Sequence, residues 1–201
     1  WKKISFGSTT FEIKNTMNWY GVFPAVTTKF HSDGSLDMPL FFKNLDFQLE
    51  SGVHGIILGG TLGESSALST EEKITLTRET VNYIAGRVPV ILNIAEGATQ
   101  DALFWAKKAE ELGASGLMIL PPMRYAADAR EVVTYFKAVA NSTKLPMMIY
   151  NNPVDYKTLV TIDMFAELAE CENIQAIKES TRDISNVTRM INRFGERYKL
   201  L

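Results

Sequence analysis

The stretch that decides the fold is residues 145–180, which begins LPMMIYNNP and ends NIQAIKES. It contains two short apolar runs, and each run stops at a polar side chain, Tyr150 in the first and Lys178 in the second. Continuous apolar runs of this length are typical of strands that are buried on both faces of a parallel sheet. A helical pattern over residues 161–170 separates them, with Thr161 as its candidate N-cap. The stretch therefore predicts a strand–helix–strand unit whose strands end on a phenol and an amine.

The same alternation of strands and helices extends over the rest of the chain. Further strands are predicted at residues 19–27, 54–60, 88–95 and 116–120, and a seventh strand of the series begins at Tyr198. Helical patterns cover residues 36–52, 70–86, 99–113, 129–142 and 183–195. Ser69 with Glu72 forms a capping box, Thr99 is another candidate N-cap, and glycines 86, 113 and 195 stand where helices should end.

Regular alternation in units of roughly 30 residues is typical of a doubly wound sheet or a barrel. The first predicted strand is not followed by Gly-x-Gly-x-x-Gly, and the chain has no phosphate-binding Gly-Lys-Ser/Thr. We therefore predict an α/β fold, a (β/α)₈ TIM barrel that is incomplete here, with about six βα units and the start of strand seven. This domain is expected over residues 17–201. Residues 1–16 are expected to be a disordered extension ahead of a natural start at Met17.

Composition excludes several classes of partner. With 21 Lys and Arg against 23 Asp and Glu, the net charge is −2, which predicts no basic face for nucleic acid. No apolar run has membrane length, and residues 1–16 lack a secretory core, so we expect a cytoplasmic protein with no membrane partner. Two separated histidines, His31 and His54, lack ligand spacing, and we expect neither a metal nor a cofactor. Cys171 lies between two glutamates that should raise its pKa, which argues against a nucleophile.

A glycine-rich segment follows the second predicted strand, at Gly59–Ser66. Three glycines among small hydroxyl residues allow backbone N–H groups to converge on an anion such as a carboxylate, although a tight turn alone would also explain them. Lys178 alone would be an ordinary surface lysine. Because this loop, Tyr150 and Lys178 all follow strands of one parallel sheet, they should meet at its carboxyl end. A lysine there can attack a carbonyl and a phenol can move the proton, which predicts imine chemistry on a keto acid.

Three motifs together resemble the dihydrodipicolinate synthase/N-acetylneuraminate lyase family of class I Schiff-base lyases. They are Gly60–Glu64, Tyr150–Pro153 and Ile177–Glu179, and the resemblance runs from about residue 19 to residue 201. Their order and spacing are specific to that family, whereas any one of them alone would be a weak signal.

The resemblance implies a role for each matching residue. Lys178 would be the Schiff-base lysine, Tyr150 the tyrosine that relays protons, and Thr61 a catalytic and binding hydroxyl. Thr61, Gly60 and the backbone around Leu62 would hold the substrate carboxylate. The family resemblance also implies no cofactor, a small keto acid or cyclic imino acid as substrate, and a full-length homotetramer with two more barrel units and a helical region.

Three positions depart from the pattern of the members that make dihydrodipicolinate. Leu62 stands where those members have a second hydroxyl residue, and Asp155 stands where they have an arginine that grips a second carboxylate. Arg124 occupies, or lies beside, the place of a tyrosine that reaches into a neighbouring subunit, with Tyr125 next to it. We therefore assign Arg124 to substrate binding and expect Asp155 to repel a second carboxylate.

These departures favour a catabolic function for a relative of the synthases. We expect a deaminase of 4-hydroxy-1-pyrroline-2-carboxylate, from hydroxyproline breakdown. The alternatives are 4-hydroxy-tetrahydrodipicolinate synthase of lysine biosynthesis and an aldolase or dehydratase of keto-deoxy sugar acids. Alternatives of another class are a non-catalytic barrel and an unstable fragment with unpaired strand edges.

Overall fold

A computed structural model of the chain describes residues 17–201, so the extension expected over residues 1–16 lies outside the described residues. The described chain forms a six-stranded sheet in which every strand pairs in parallel with the next one along the sequence. The strands are β1 (Ile56–Leu58), β2 (Val90–Ile94), β3 (Gly116–Ile119), β4 (Met147–Asn151), β5 (Ile174–Glu179) and β6 (Lys199–Leu200). Sequential parallel order with a helix in each connection confirms the predicted incomplete α/β barrel.

One helix precedes β1, and the others lie between consecutive strands. The helices are α1 (Met38–Glu50), α2 (Thr70–Ile84), α3 (Thr99–Glu111), α4 (Ala129–Ser142), α5 (Pro153–Tyr156), α6 (Ile162–Leu168) and α7 (Ile184–Phe194). The capping box of Ser69 with Glu72 and the N-cap at Thr161 are confirmed. The prediction for Thr99 was wrong by one residue, because Ala98 is the N-cap and contributes no side-chain hydrogen bond.

The first predicted strand, residues 19–27, is reduced to a single bridge between Ala25 and Ile57. The Pro24 carbonyl accepts a hydrogen bond from the N–H of Ile57 (2.9 Å), and the N–H of Val26 donates to the Ile57 carbonyl (3.0 Å). The ladder stays short because Pro24 has no N–H to donate and Gly21 turns the chain at a φ of +96°. The segment nevertheless runs beside β1 as the neighbour that a barrel requires.

The strands bury both faces, as their continuous apolar sequences predict. The outward faces pack against the helices in a large cluster that includes Leu58, Leu92 and Ile177. The inward faces form a second cluster around the barrel axis, composed of Trp19, Ile57, Ile91, Met118, Met148 and Ala176. The indole N–H of Trp19 donates to Oε1 of Gln175 (3.1 Å). The segment before β1 therefore reaches β5 at the amino end of the barrel, where β5 begins.

Candidate active site

Tyr150 and Lys178 meet at the carboxyl end of the sheet. They are paired in register on β4 and β5, and residues paired in parallel strands point to the same face. The Nζ atom of Lys178 lies 4.0 Å from the centroid of the Tyr150 ring, within the range of a cation–π interaction. Among the described residues, no carboxylate lies within ion-pair distance of Lys178. The amine is thus held beside a phenol without a salt bridge that would have to break before it reacts.

The end of β5 is fixed by the residue after the lysine. Glu179 points to the opposite face, and its carboxylate accepts hydrogen bonds from Nδ2 of Asn186 (2.8 Å), Nδ2 of Asn151 (3.3 Å) and the N–H of Thr181 (2.8 Å). Since side chains alternate along a strand, anchoring Glu179 outward directs Lys178 inward.

The hydroxyl of Tyr150 is oriented by Asn152, which follows β4. Nδ2 of Asn152 donates to the phenol oxygen (3.1 Å), while Oδ1 of Asn152 accepts from the N–H of Asp155 and begins α5. The phenol oxygen acts as an acceptor in this contact, so its own proton remains available for a substrate.

The glycine-rich segment belongs to the same end of the sheet, because it follows β1. Gly59 turns the chain out of β1 at a φ of +65°, and Thr61–Gly63 form a single turn of 3₁₀-helix. Thr28 fastens this turn by donating to the carbonyl of Gly63 (2.7 Å). A side chain at Gly63 would approach the Val26 carbonyl to 3.0 Å, which explains the need for glycine. The N–H groups of Thr61 and Leu62 open the turn, where no helical partner exists for them.

A small cavity of about 110 Å³ joins these parts. It is lined by Ala25, Gly60, Thr61, Leu62, Asn93, Met118, Leu120, Tyr150, Tyr156 and Lys178. Five of the predicted site residues therefore lie around one space. The sixth, Arg124, is exposed beside Gly97 and lies outside this lining.

Tyr156 is a site residue that the sequence analysis missed. Its hydroxyl forms a hydrogen bond of 2.7 Å with Oγ1 of Thr61, and its ring meets that of Tyr150 edge to face at 5.6 Å between centroids. It stands at the end of α5, a four-residue helix absent from the predicted elements. The signal was present, because Asn152 followed by Pro153 is a favoured N-cap and first helical residue.

Asn93 is a second residue that was missed, since it fell within a predicted apolar strand. It is only 6% exposed, and its Nδ2 donates to the Gly59 carbonyl (2.8 Å). Its Oδ1 is buried without a hydrogen-bond partner. Asn93 lines both the small cavity and an adjoining one of about 380 Å³, which also contains the ion pair of Lys73 with Glu96 (3.3 Å).

Asp155 occupies the rim of the site, with its side chain largely exposed. Its Oδ2 accepts from Nδ2 of Asn152 (2.8 Å), and its Oδ1 lies 3.9 Å from Nη2 of Arg182. Arg182 therefore partly offsets the negative charge that the sequence analysis assigned to this position.

Other groups stand apart from the site. Burial, and then the charge of Glu170, raise the pKa of the Cys171 thiol, in the direction that its acidic neighbours predict. Within residues 17–201 no cluster of three or more His, Cys, Asp or Glu side chains could hold a metal ion. No helix in the same range is long and apolar enough to cross a membrane.

The fold and the site together define a class of protein, the parallel (β/α) barrels that carry a lysine amine at the carboxyl end of one strand and a phenol on its neighbour. The particular family follows from comparison with known proteins. The chain belongs to the dihydrodipicolinate synthetase family, whose model matches residues 18–201.

Individual relatives agree with this assignment. The chain is 37% identical over 175 residues to a 4-hydroxy-tetrahydrodipicolinate synthase of Bacillus velezensis, covering 87% of this chain and 61% of that one. It is similar to the crystal structure of a dihydrodipicolinate synthase of Bacillus anthracis, with a TM-score of 0.88, 32% identity, and coverage of 92% and 63%. A prophage protein of the same family from E. coli K12, solved with pyruvate, gives a TM-score of 0.87 at 28% identity, with coverage of 92% and 63%. The chain thus spans about three fifths of the length of these relatives.

Proposed function

We propose that this protein is a class I lyase that forms an imine between Lys178 and the carbonyl carbon of a small 2-keto acid. The observation that carries the proposal is the pairing of Lys178 with Tyr150 in register at a cavity walled by the glycine-rich turn. Attack by the neutral amine gives a carbinolamine, and loss of water then gives the imine. The protons of both steps need a donor and acceptor within reach, which is the role we assign to the Tyr150 hydroxyl.

The turn supplies a place for the substrate carboxylate. Thr61 and Leu62 line the same cavity as Lys178, and their N–H groups, at the start of the 3₁₀ turn, have no helical partner. A carboxylate bound there would put the adjacent keto carbon toward the amine, because the two carbons are directly bonded in a 2-keto acid. Tyr156 holds the Thr61 hydroxyl in place through the hydrogen bond between their hydroxyls.

The relatives favour one reaction over another. Their name, 4-hydroxy-tetrahydrodipicolinate synthase, supports the alternative drawn from the sequence and gives no support to the hydroxypyrroline-carboxylate deaminase. The pyruvate in the E. coli prophage relative supports pyruvate as the keto acid. We therefore propose carbon–carbon bond formation between the Lys178-bound keto acid and an aldehyde. Leu62 and Asp155 mark the places where this protein would differ from those synthases in its second substrate.

The remaining proposals follow from the family resemblance. We propose that the full-length protein is a cytoplasmic homotetramer that needs no cofactor and binds neither nucleic acid nor membranes. Light scattering of the purified full-length protein measures its oligomeric state, and a monomer at working concentration would contradict the homotetramer.

Borohydride trapping tests the proposed imine. The full-length protein is incubated with pyruvate, reduced, digested and mapped by mass spectrometry. We expect the pyruvate-derived mass on the peptide that contains Lys178, and none in Lys178→Met. Lys157→Met is the matched control, because that lysine is exposed nearby with its ammonium on the Val154 carbonyl (3.0 Å), and we expect it to label as the unmodified protein does. Label on another lysine, or none in a folded protein, would refute the proposal.

A further inference from the structure

The Asn93 side chain leaves one strong hydrogen-bond acceptor unused in the interior of the barrel. Nearly all buried polar groups have a partner, and an unpaired one destabilises the folded protein. The amide cannot be turned around to solve this, since Oδ1 would then face the Gly59 carbonyl, another acceptor. The described residues therefore offer Oδ1 no donor, and a bound ligand can supply one.

The position of Asn93 restricts what that donor is. Asn93 pairs with Met118 in register on the inward face of the sheet, and it lines the cavity that contains Lys178. It also lines the larger adjoining cavity, so it stands where the two spaces meet. Leu120 is an apolar residue that, like Asn93, lines both cavities. A ligand that begins at Lys178 and extends toward the larger cavity would pass beside Asn93.

Imine chemistry produces a hydroxyl group at a fixed place in such a ligand. Loss of a proton from carbon 3 of the Lys178-bound keto acid gives an enamine, and carbon 3 then attacks the aldehyde carbon. The new bond joins carbons 3 and 4, and the aldehyde oxygen takes up a proton to become a hydroxyl on carbon 4. The reverse reaction cleaves the same bond and returns that proton, so in either direction the bound intermediate carries a donor one carbon beyond the enamine.

We infer that Asn93 Oδ1 accepts the hydrogen bond of a hydroxyl on carbon 4, and that Asn93 makes the site selective for 4-hydroxy-2-keto acids over their 4-deoxy counterparts. This inference rests on the proposed function, because Lys178 fixes where the ligand begins. The selectivity has two causes. The hydroxylated ligand donates a hydrogen bond to Oδ1, whereas the deoxy ligand fills the same space and leaves Oδ1 without a donor. A site that hydrogen-bonds a hydroxyl rejects the analogue lacking it more strongly than an apolar pocket rejects an added group.

Binding of two ligands that differ by one oxygen atom tests the inference. Calorimetry compares 4-hydroxy-2-oxobutyrate with 2-oxobutyrate on the full-length protein. We expect the hydroxylated acid to bind about tenfold more tightly or better, a difference of about 1.4 kcal/mol. In Asn93→Leu, which keeps the shape but removes the acceptor, this preference should shrink to within roughly threefold. Leu120→Val is the matched control, since it alters the walls of the same cavities without a polar group and should retain the preference.

The outcomes separate this inference from the proposed function. Equal binding of the two acids to the unmodified protein, or no binding of either, would overturn the role of Asn93 whether or not any variant folds. An unchanged preference in Asn93→Leu would overturn it as well. Borohydride labelling of Lys178 with 2-oxobutyrate is measured in parallel: label without a hydroxyl preference leaves the imine intact and refutes only Asn93. A hydroxyl preference without label refutes the lysine imine and, with it, the position of carbon 4 on which the Asn93 contact depends.

Discussion

The two ends of the barrel interior are built on the same strands yet differ in kind. At the amino end the inward side chains pack with Trp19 into a buried apolar cluster. The next inward-facing residues lie two positions further along the strands. Asn93 follows Ile91, Leu120 follows Met118, Tyr150 follows Met148 and Lys178 follows Ala176. Because inward-facing residues recur every second position, the same face of the sheet supplies both the packing and the chemistry.

The difference shows that distance along the strand, and not the choice of strand, separates stability from function. The amino-end residues are apolar side chains buried against one another. At the carboxyl end lie the Lys178 amine without a carboxylate partner, the Tyr150 phenol with its proton available, and the Asn93 Oδ1 atom without a hydrogen-bond partner. Changes at the amino end should therefore lower stability, and changes at the carboxyl end should lower activity at similar stability.

The largest effect on activity, short of removing the lysine, is expected for Tyr150→Phe. Loss of a positioned proton-transfer group should lower turnover by about 10²–10⁴-fold, while the ring keeps its packing and substrate affinity. Steady-state kinetics with pyruvate as the first substrate measure kcat and KM. Tyr125→Phe is the control, since that tyrosine is 60% exposed and lies outside the cavity. Turnover near that of the unmodified protein would remove Tyr150 from the mechanism.

The largest effect on stability is expected for Trp19→Ala. Truncating an aromatic residue that is 5% exposed should lower the free energy of unfolding by about 3–5 kcal/mol. Borohydride labelling should still fall on Lys178 at temperatures where the variant is folded. Tyr20→Ala is the control for chemical denaturation, because Tyr20, the next residue in the sequence, is 72% exposed. A stable variant that loses its label would break the division between the two ends.

A smaller effect is expected where a single hydrogen bond orients the glycine-rich turn. Tyr156→Phe and Thr61→Val each remove the 2.7 Å contact between the two hydroxyls. Since such a bond is worth about 1 kcal/mol, Tyr156→Phe should lower kcat by roughly 5- to 10-fold. The double variant should lose no more than the larger single change if the two act as a pair. Fully additive losses would show that the hydroxyls act separately.

The smallest effects should come from two buried tyrosines outside the site, and they should have opposite signs. The Tyr135 hydroxyl is buried without a partner, so Tyr135→Phe should raise stability by about 1 kcal/mol. The Tyr198 hydroxyl donates to the Phe165 carbonyl (2.7 Å), so Tyr198→Phe should lower it by about 1 kcal/mol. Urea unfolding of both variants provides the comparison, and a loss of stability in Tyr135→Phe would indicate a hidden partner.

The Tyr135 and Tyr198 hydroxyls should also lower the stability of the folded protein at alkaline pH. Burial raises the pKa of Tyr135, and it raises the pKa of Tyr198 to about 12, against an ordinary value of 10.0. The unfolded chain therefore releases its protons first, and stability should be complete below pH 10 and fall as pH rises toward 12. The decline should be shallower in Tyr135→Phe.

The sequence predicts the fold and the main residues of the site for reasons that are local. Buried parallel strands show as apolar runs, and a polar residue that ends such a run is visible without any structure, as with Tyr150 and Lys178. Asn93 and Tyr156 were not found by these means. A lone asparagine within a strand gives no sign of its burial, and Tyr156 reaches Thr61 across 95 residues of sequence. Arg124 was assigned by alignment with a motif, and its loop places it outside the cavity lining.

The link from Trp19 to Gln175 joins residues 156 positions apart, which has a consequence for the order of folding. Each neighbouring pair of strands can form with only one or two helices between them, whereas this contact needs the whole sheet to be in place. We therefore expect the strands to assemble in sequence and the tryptophan to dock last. Its fluorescence would then report the slowest step of refolding, after the lysine and the phenol have already met.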